Sequence, residues 1–182
     1  MFVQVIECPV RDSDGMRAHF YAGVERLHPT AVGWLGATSG VTDDGVWINI
    51  ICFASPEAAR TNSARPEQGR WWDEGERYRT GAPRFVDSTD VTVLGSGPAS
   101  DAGFVRVIEG GVRDRHSVEA LLSPARGGDQ PDRGLAIWHD DALTLARTFT
   151  SEARARSDPV RDALARFLTE MATYDIARPW TA

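Results

Sequence analysis

The chain opens on an apolar run, Phe2-Val3-Gln4-Val5-Ile6-Glu7, whose Val and Ile content predicts a buried strand. Asp12-Ser13-Asp14 offers N-cap oxygens to a following helix. Met16, Phe20, Gly23, Val24 and Leu27 then share one face at helical spacing, and His28-Pro29 ends that helix. Val32 to Val41 predicts a second strand and Val46 to Phe53 a third, joined by the turn signal Thr42-Asp43-Asp44-Gly45. Ser55-Pro56-Glu57 starts a helix: the Ser side chain accepts from an orphan N–H, and Pro at the first helical position loses no hydrogen bond. The helix breaks near Asn62-Ser63, restarts at Pro66, carries Trp71, Trp72 and Tyr78, and stops at Thr80-Gly81-Ala82-Pro83. Phe85 to Leu94 predicts a final strand.

The opening pattern then returns. Phe2 to Asp12 and Phe104 to Asp114 match in a common register at Phe, Val, Val, Ile, Glu, Val, Arg and Asp, which marks a duplicated unit. Residues 1–95 form the first copy, the small polar stretch 96–103 a flexible linker, and 104–182 the second copy. In the second, Asp114 caps a helix bearing Val118, Leu121 and Leu122, and Gln130-Pro131 stands where His28-Pro29 stood. Leu135 to Trp138 and Leu143 to Phe149 form a hairpin around His139-Asp140-Asp141. Asp158-Pro159 opens a last helix with Val160, Leu164, Phe167, Leu168 and Met171 on one face, and a short strand from Tyr174-Asp175 ends near Trp180. Each copy thus runs strand, helix, strand, strand, helix, strand: the α+β class, in the split βαβ or ferredoxin-like order. A sheet with helices on one face leaves the other bare. Two such sheets can bury those faces on each other, so two tandem βαββαβ units packed as an intrachain α+β barrel are expected, as a monomer or weak dimer.

Composition narrows the function classes. The 182 residues carry a net charge of −6, scattered rather than gathered in a tail, and 42% are hydrophobic. No basic stripe suits nucleic acid, and no apolar run approaches the roughly 20 residues of a membrane span. The strand-like start argues against a signal peptide, so a cytoplasmic protein is expected. All twenty basic residues are Arg. That excludes a Schiff-base lysine and a phosphate-loop lysine. Cys8 and Cys52 are too few and too far apart for a zinc framework and are expected as buried free thiols. No metal is expected; the polar turn at His139 is explained by exposure.

The run Ile50-Ile51-Cys52-Phe53-Ala54-Ser55-Pro56-Glu57-Ala58-Ala59, followed by Arg65-Pro66-Glu67-Gln68-Gly69-Arg70-Trp71-Trp72, resembles the third strand and second helix of the dimeric α+β barrel superfamily, most closely its antibiotic biosynthesis monooxygenase-like branch. The resemblance covers nearly the whole chain as two tandem units, an arrangement similar to actinobacterial proteins of this kind. It implies a pocket inside one unit, between helices and sheet. Its haem-degrading members resemble this chain poorly: the first strand offers Glu7 and Cys8 where they use Asn, and no His follows Trp72 in its helix. No Gly-rich phosphate loop follows a strand, so no cofactor is expected.

The two copies differ in what could line such a pocket. The first has His19, Trp34, Trp47, Asn49, Trp71, Trp72 and Tyr78; at the positions of Trp47 and Asn49 the second has Leu143 and Leu145. A site for a small hydrophobic or aromatic ligand is therefore expected in the first copy. Asn49 shares a strand face with Trp47, Ile51 and Phe53, where a polar amide needs a partner: either a ligand oxygen or a cross-strand group. Asn49 and His19 are the catalytic candidates, with His28 a further imidazole at the helix end; Trp34, Trp47, Trp71, Trp72 and Tyr78 are the candidates for ligand contact or plain core. Glu7 and Glu109 are expected to pair with Arg11 and Arg113.

Overall fold

The computed structural model describes residues 1–95, 102–123 and 133–182. The first half runs β1 (Phe2–Pro9), α1 (Ser13–Leu27), β2 (Trp34–Val41), β3 (Val46–Phe53), α2 (Pro56–Ser63), α3 (Pro66–Gly75), β4 (Arg84–Ser88) and β5 (Asp90–Leu94). The second runs β6 (Phe104–Val112), α4 (Arg115–Leu122), β7 (Arg133–His139), β8 (Ala142–Phe149), α5 (Glu152–Arg156), α6 (Val160–Leu164), β9 (Leu168–Ala177) and β10 (Trp180–Thr181). These form a mixed α+β fold with two antiparallel five-stranded sheets, ordered β10-β2-β3-β1-β4 and β5-β7-β8-β6-β9. The chain divides into unit 1, residues 1–89 with 180–182, and unit 2, residues 90–179. Most of the expected linker and the Gln130-Pro131 pair lie outside the described residues.

Local chemistry sets most boundaries as expected. Asp12 and Asp114 cap α1 and α4, accepting from Gly15 N at 2.8 Å and Ser117 N at 3.2 Å. Ser55 caps α2 through Ala58 N. The β2–β3 hairpin turns on Gly45, whose φ of +81° suits a residue without Cβ. Where α2 gives way to α3, Asn62 stays buried and holds the loop before β2: its amide nitrogen donates to Val32 O and its oxygen accepts from Val32 N.

Three expectations are corrected. The strand expected over Phe85–Leu94 is two, β4 in the first sheet and β5 in the second, separated by Thr89. A continuous extended pattern carries no mark of where its partner changes. The last helix, expected to run through Leu168 and Met171, ends at Leu164, and β9 starts at Leu168. Gly110 and Gly111 are the reason: a Cβ at either would come within 3 Å of Thr169, so only glycine lets this part of β9 lie beside β6. The first copy has Cys8-Pro9 there, and β4 pairs with β1 only as far as Glu7↔Arg84. Past β9 the chain turns at Arg178, φ +60°, and Trp180 pairs with Ser39 of β2. Finally, Glu7 pairs with Arg84 at 2.7 Å rather than Arg11, and Glu109 accepts from Thr144 Oγ1.

The helix-side core of unit 1 gathers Ile6, Cys8, Met16, Phe20, Trp47, Trp71 and Trp180; that of unit 2 gathers Ile108, Val118, Leu143, Leu145 and Leu164. Among the described residues no helix is long and apolar enough to cross a membrane.

Candidate functional site

Unit 1 contains a cavity of about 400 Å³ between the helix-side face of its sheet and α1 to α3. Ile6, Ala37, Asn49, Ile51 and Phe53 come from the strands, Phe20, Val24 and Leu27 from α1, and Trp71 and Trp72 from α3. His28, Trp34, Asn62, Arg65, Gln68 and Phe85 also line it. The volume lies at the lower end of the range for small-molecule sites, and the lining has the usual form of apolar walls with a few polar groups.

The sequence-predicted residues divide into two sets. Asn49, Trp34, Trp71 and Trp72 line the cavity; His19, Trp47 and Tyr78 do not. Asn49 projects from the centre of β3, opposite Ile6 on one side and Ser39 on the other. It is 2% exposed, and its Oδ1 has no hydrogen-bond partner among the described residues. A buried acceptor left open costs about 1–3 kcal/mol, and here it belongs to a residue that lines a largely apolar cavity.

Trp71 is the wedge between the helices. Its Nε1 donates to the carbonyl of His19 at 3.1 Å, and His19 Nε2 donates to the carbonyl of Trp71 at 2.9 Å. The two rings stack, with centroids 4.9 Å apart and planes 3° from parallel. Since a carbonyl only accepts, His19 carries its proton on Nε2. Burial pushes the imidazole pKa below its ordinary value, the Trp71 carbonyl only partly offsetting this. His19 is thus a neutral tie between α1 and α3, behind the Trp71 wall. Gly23 makes the tie possible: a Cβ there would lie 2.2 Å from Trp71 Nε1.

Trp72 presents a ring to the cavity with the Arg79 guanidinium 4.3 Å from its centroid and Phe85 5.7 Å away. Trp47 sits deeper, its Nε1 satisfied by Ser39 Oγ at 2.7 Å. Tyr78 packs against His19 and carries Arg77 over its ring. At the rim, His28 lies 4.5 Å from the ring of Trp34. Arg65 braces this edge: it donates to Leu27 O, Asn62 Oδ1 and Thr30 Oγ1 while its Nε binds Glu67 at 2.8 Å. Residue type alone did not single out Arg65, Gln68 or Asn62; the one available signal was their position around the interruption between α2 and α3.

Unit 2 places aliphatic side chains at the equivalent positions. Leu145 stands in the Asn49 register and Leu143 in that of Trp47, both fully buried. Where unit 1 has Gln4 opposite Ile51, unit 2 has Arg106 opposite Arg147. Arg106 grips Asp175 through two bonds, 2.7 and 2.8 Å, and the Ala155 carbonyl at 2.6 Å. Arg147 is buried against Asp158. Burial lowers its pKa, an effect Asp158 opposes.

No protein-family model matches this sequence, and no curated protein does either. Among solved structures the fold is similar to that of a candidate monooxygenase from Fusobacterium nucleatum subsp. nucleatum ATCC 25586, with a TM-score of 0.79 over 99% of this chain and 93% of that one at 9% identity. A candidate monooxygenase from Lactobacillus acidophilus NCFM gives 0.74 over 100% and 95% at 11% identity. An anthrone oxidase-like protein gives 0.69 over 100% and 92% at 11% identity. At such identities the likeness is one of fold: this chain has the fold of monooxygenase-like proteins across its length.

Proposed function

We propose that the chain binds a small, flat aromatic or polyketide-like molecule in the unit 1 cavity and acts on it as a cofactor-independent monooxygenase. The observation that carries this is the unpaired, buried amide oxygen of Asn49 in the wall of a tryptophan-lined cavity of about 400 Å³. The similar folds of monooxygenase-like proteins agree with it. Trp34, Trp71 and Trp72 offer ring faces and edges for stacking. A small rotation of the Asn49 side chain brings its buried amide to the ligand and fixes the ligand's orientation: Oδ1 then accepts from a ligand hydroxyl, or the flipped amide donates to a ligand carbonyl or enolate oxygen. Oxygenation without a cofactor draws electrons from the substrate's own carbanion, which needs a dry pocket with groups that favour the ionised form. His19 contributes by holding Trp71, with Trp47 and Tyr78 packed behind the wall.

The reading includes the architecture. The two units are proposed as halves of an intrachain ferredoxin-like pseudo-dimer, cytoplasmic and monomeric or weakly dimeric. Support comes from the sheet faces away from the helices, where Val3, Val5, Ile48 and Ile50 in one unit and Val105 and Val107 in the other are buried. Light scattering giving an obligate dimer, whose separated chains unfold, contradicts it.

The test is a thermal-shift screen of anthrones, quinones and haem, followed by oxygen uptake with each ligand that binds. The expected result is stabilisation by a flat phenolic or quinonoid compound, lost in Asn49→Ala, with oxygen consumed and no added cofactor. Binding without oxygen uptake leaves a ligand-carrying protein instead. No shift by any compound removes the binding reading altogether.

A further inference from the structure

The cavity lining contains one group of a type that exchanges a proton near neutral pH. Among the described residues that line it there is no Asp, Glu, Cys or Tyr; Arg65 is a permanent cation, and Asn49, Asn62 and Gln68 do not titrate. That leaves His28. The other imidazole of α1, His19, lies outside the lining, its Nε2 proton committed to the Trp71 carbonyl. Resting on the function proposed above, we infer that His28 is the base of the site: its ring nitrogen takes the proton from a phenol or enol hydroxyl of the bound molecule.

Position and surroundings suit that task. His28 opens the 3-10 turn His28–Thr30 that follows α1, and it is exposed, so a proton taken from the cavity can pass on to water. Its ring rests against Trp34, itself a cavity residue. Arg65 donates to Leu27 O and Thr30 Oγ1, on either side of the His28-Pro29 pair, and is balanced by Glu67. Arg26, near the end of α1, is paired with Glu74 of α3 at 3.1 Å. Among the described residues no carboxylate lines the cavity to oppose a ligand anion, and the cation Arg65 is part of the lining. The step balances simply: the ligand O–H bond breaks, an imidazole N–H bond forms, and the products are an aryloxide or enolate and an imidazolium. The electron-rich anion is the form that oxygen attacks. With a hydroxyl toward His28 and a second oxygen toward Asn49, the ligand class narrows to planar molecules carrying oxygen substituents at two ends.

The experiment uses 1,5-dihydroxynaphthalene under nitrogen, because aryloxide formation is visible in its absorption spectrum. It is titrated with wild type, His28→Gln and Asn49→Leu from pH 5 to 9. The inference expects the wild-type complex to ionise at least about one pH unit below the free probe, a tenfold change in aryloxide fraction. His28→Gln should still bind the probe, with ionisation returned to the free-probe range. In wild type, the His28 ring signals in an NMR spectrum should move to the imidazolium position as probe is added. A merely structural role for His28 would move none of these readouts. Aryloxide formation that persists in His28→Gln overturns the inference, as does a wild-type complex that binds the probe only as the neutral phenol. Failure of wild type to bind, or binding unaffected by Asn49→Leu, defeats the cavity reading first and the role of His28 with it.

Discussion

Replacing Asn49 by leucine should make the unliganded protein more stable while it damages binding. Asn49 is 2% exposed, and its Oδ1 has neither a partner among the described residues nor appreciable accessible surface. Burying such an acceptor costs about 1–3 kcal/mol, which the substitution removes. Leucine adds apolar contact with Ile6, Ile51 and Phe53, residues that share the cavity with it. Unit 2 supplies the natural control, since Leu145 occupies the equivalent register and is fully buried. Against this stands some crowding of the cavity, less than the overpacking of a filled core because open volume adjoins the site. The expected net is a gain of about 1–2 kcal/mol, or roughly 2–8 °C in melting temperature for a chain of this size. Urea unfolding followed by tryptophan fluorescence measures it, and the thermal-shift screen supplies the other half: ligands that stabilise wild type should stabilise Asn49→Leu far less. A loss of stability above about 1 kcal/mol would show that the amide is satisfied in solution, and the argument from an open acceptor would fall. A gain with ligand binding intact would detach Asn49 from the site.

Other expectations follow from the same geometry. Gly23→Ala places a methyl group 2.2 Å from Trp71 Nε1; it should cost about 1–3 kcal/mol, shift the tryptophan emission and abolish ligand binding, and wild-type behaviour would disprove the wedge. His19 is pushed below its ordinary pKa by burial, so the folded state binds its proton less readily than the unfolded chain does. That contribution to stability is complete above the ordinary imidazole range, near pH 6.5, and declines as pH falls through it. Urea midpoints between pH 8 and 5 should therefore drop more steeply for wild type than for His19→Gln; parallel curves would refute the assignment. Trp180, 5% exposed although third from the C-terminus, packs 5.9 Å from the ring of Phe20. Trp180→Ala should cost about 3–5 kcal/mol, whereas a value under about 1 kcal/mol would mean that β10 is only loosely held.

Much of this protein is carried by local chemistry. The caps at Asp12, Ser55 and Asp114, the turn at Gly45 and the bounds of β3 over Val46–Phe53 are decided within a few residues, and all were legible in the chain. So was the oddity of an amide at Asn49 on an otherwise apolar strand face, because alternation along a strand fixes which side chains share a face. Tertiary structure alone decided the rest. Phe85–Leu94 reads as one extended run, yet β4 and β5 join different sheets, and Trp180 belongs to the core of unit 1. Strand partners are chosen across scores of residues, and the hydrophobic period is the same whichever sheet accepts the strand. β9 replaced the end of a helix because Gly110 and Gly111 admit a neighbour closely, a contact that helical periodicity over Leu164–Met171 cannot register. The same holds for the site: periodicity put His19 and Trp71 on inward faces, but only packing could set His19 behind Trp71 and leave His28 on the cavity rim.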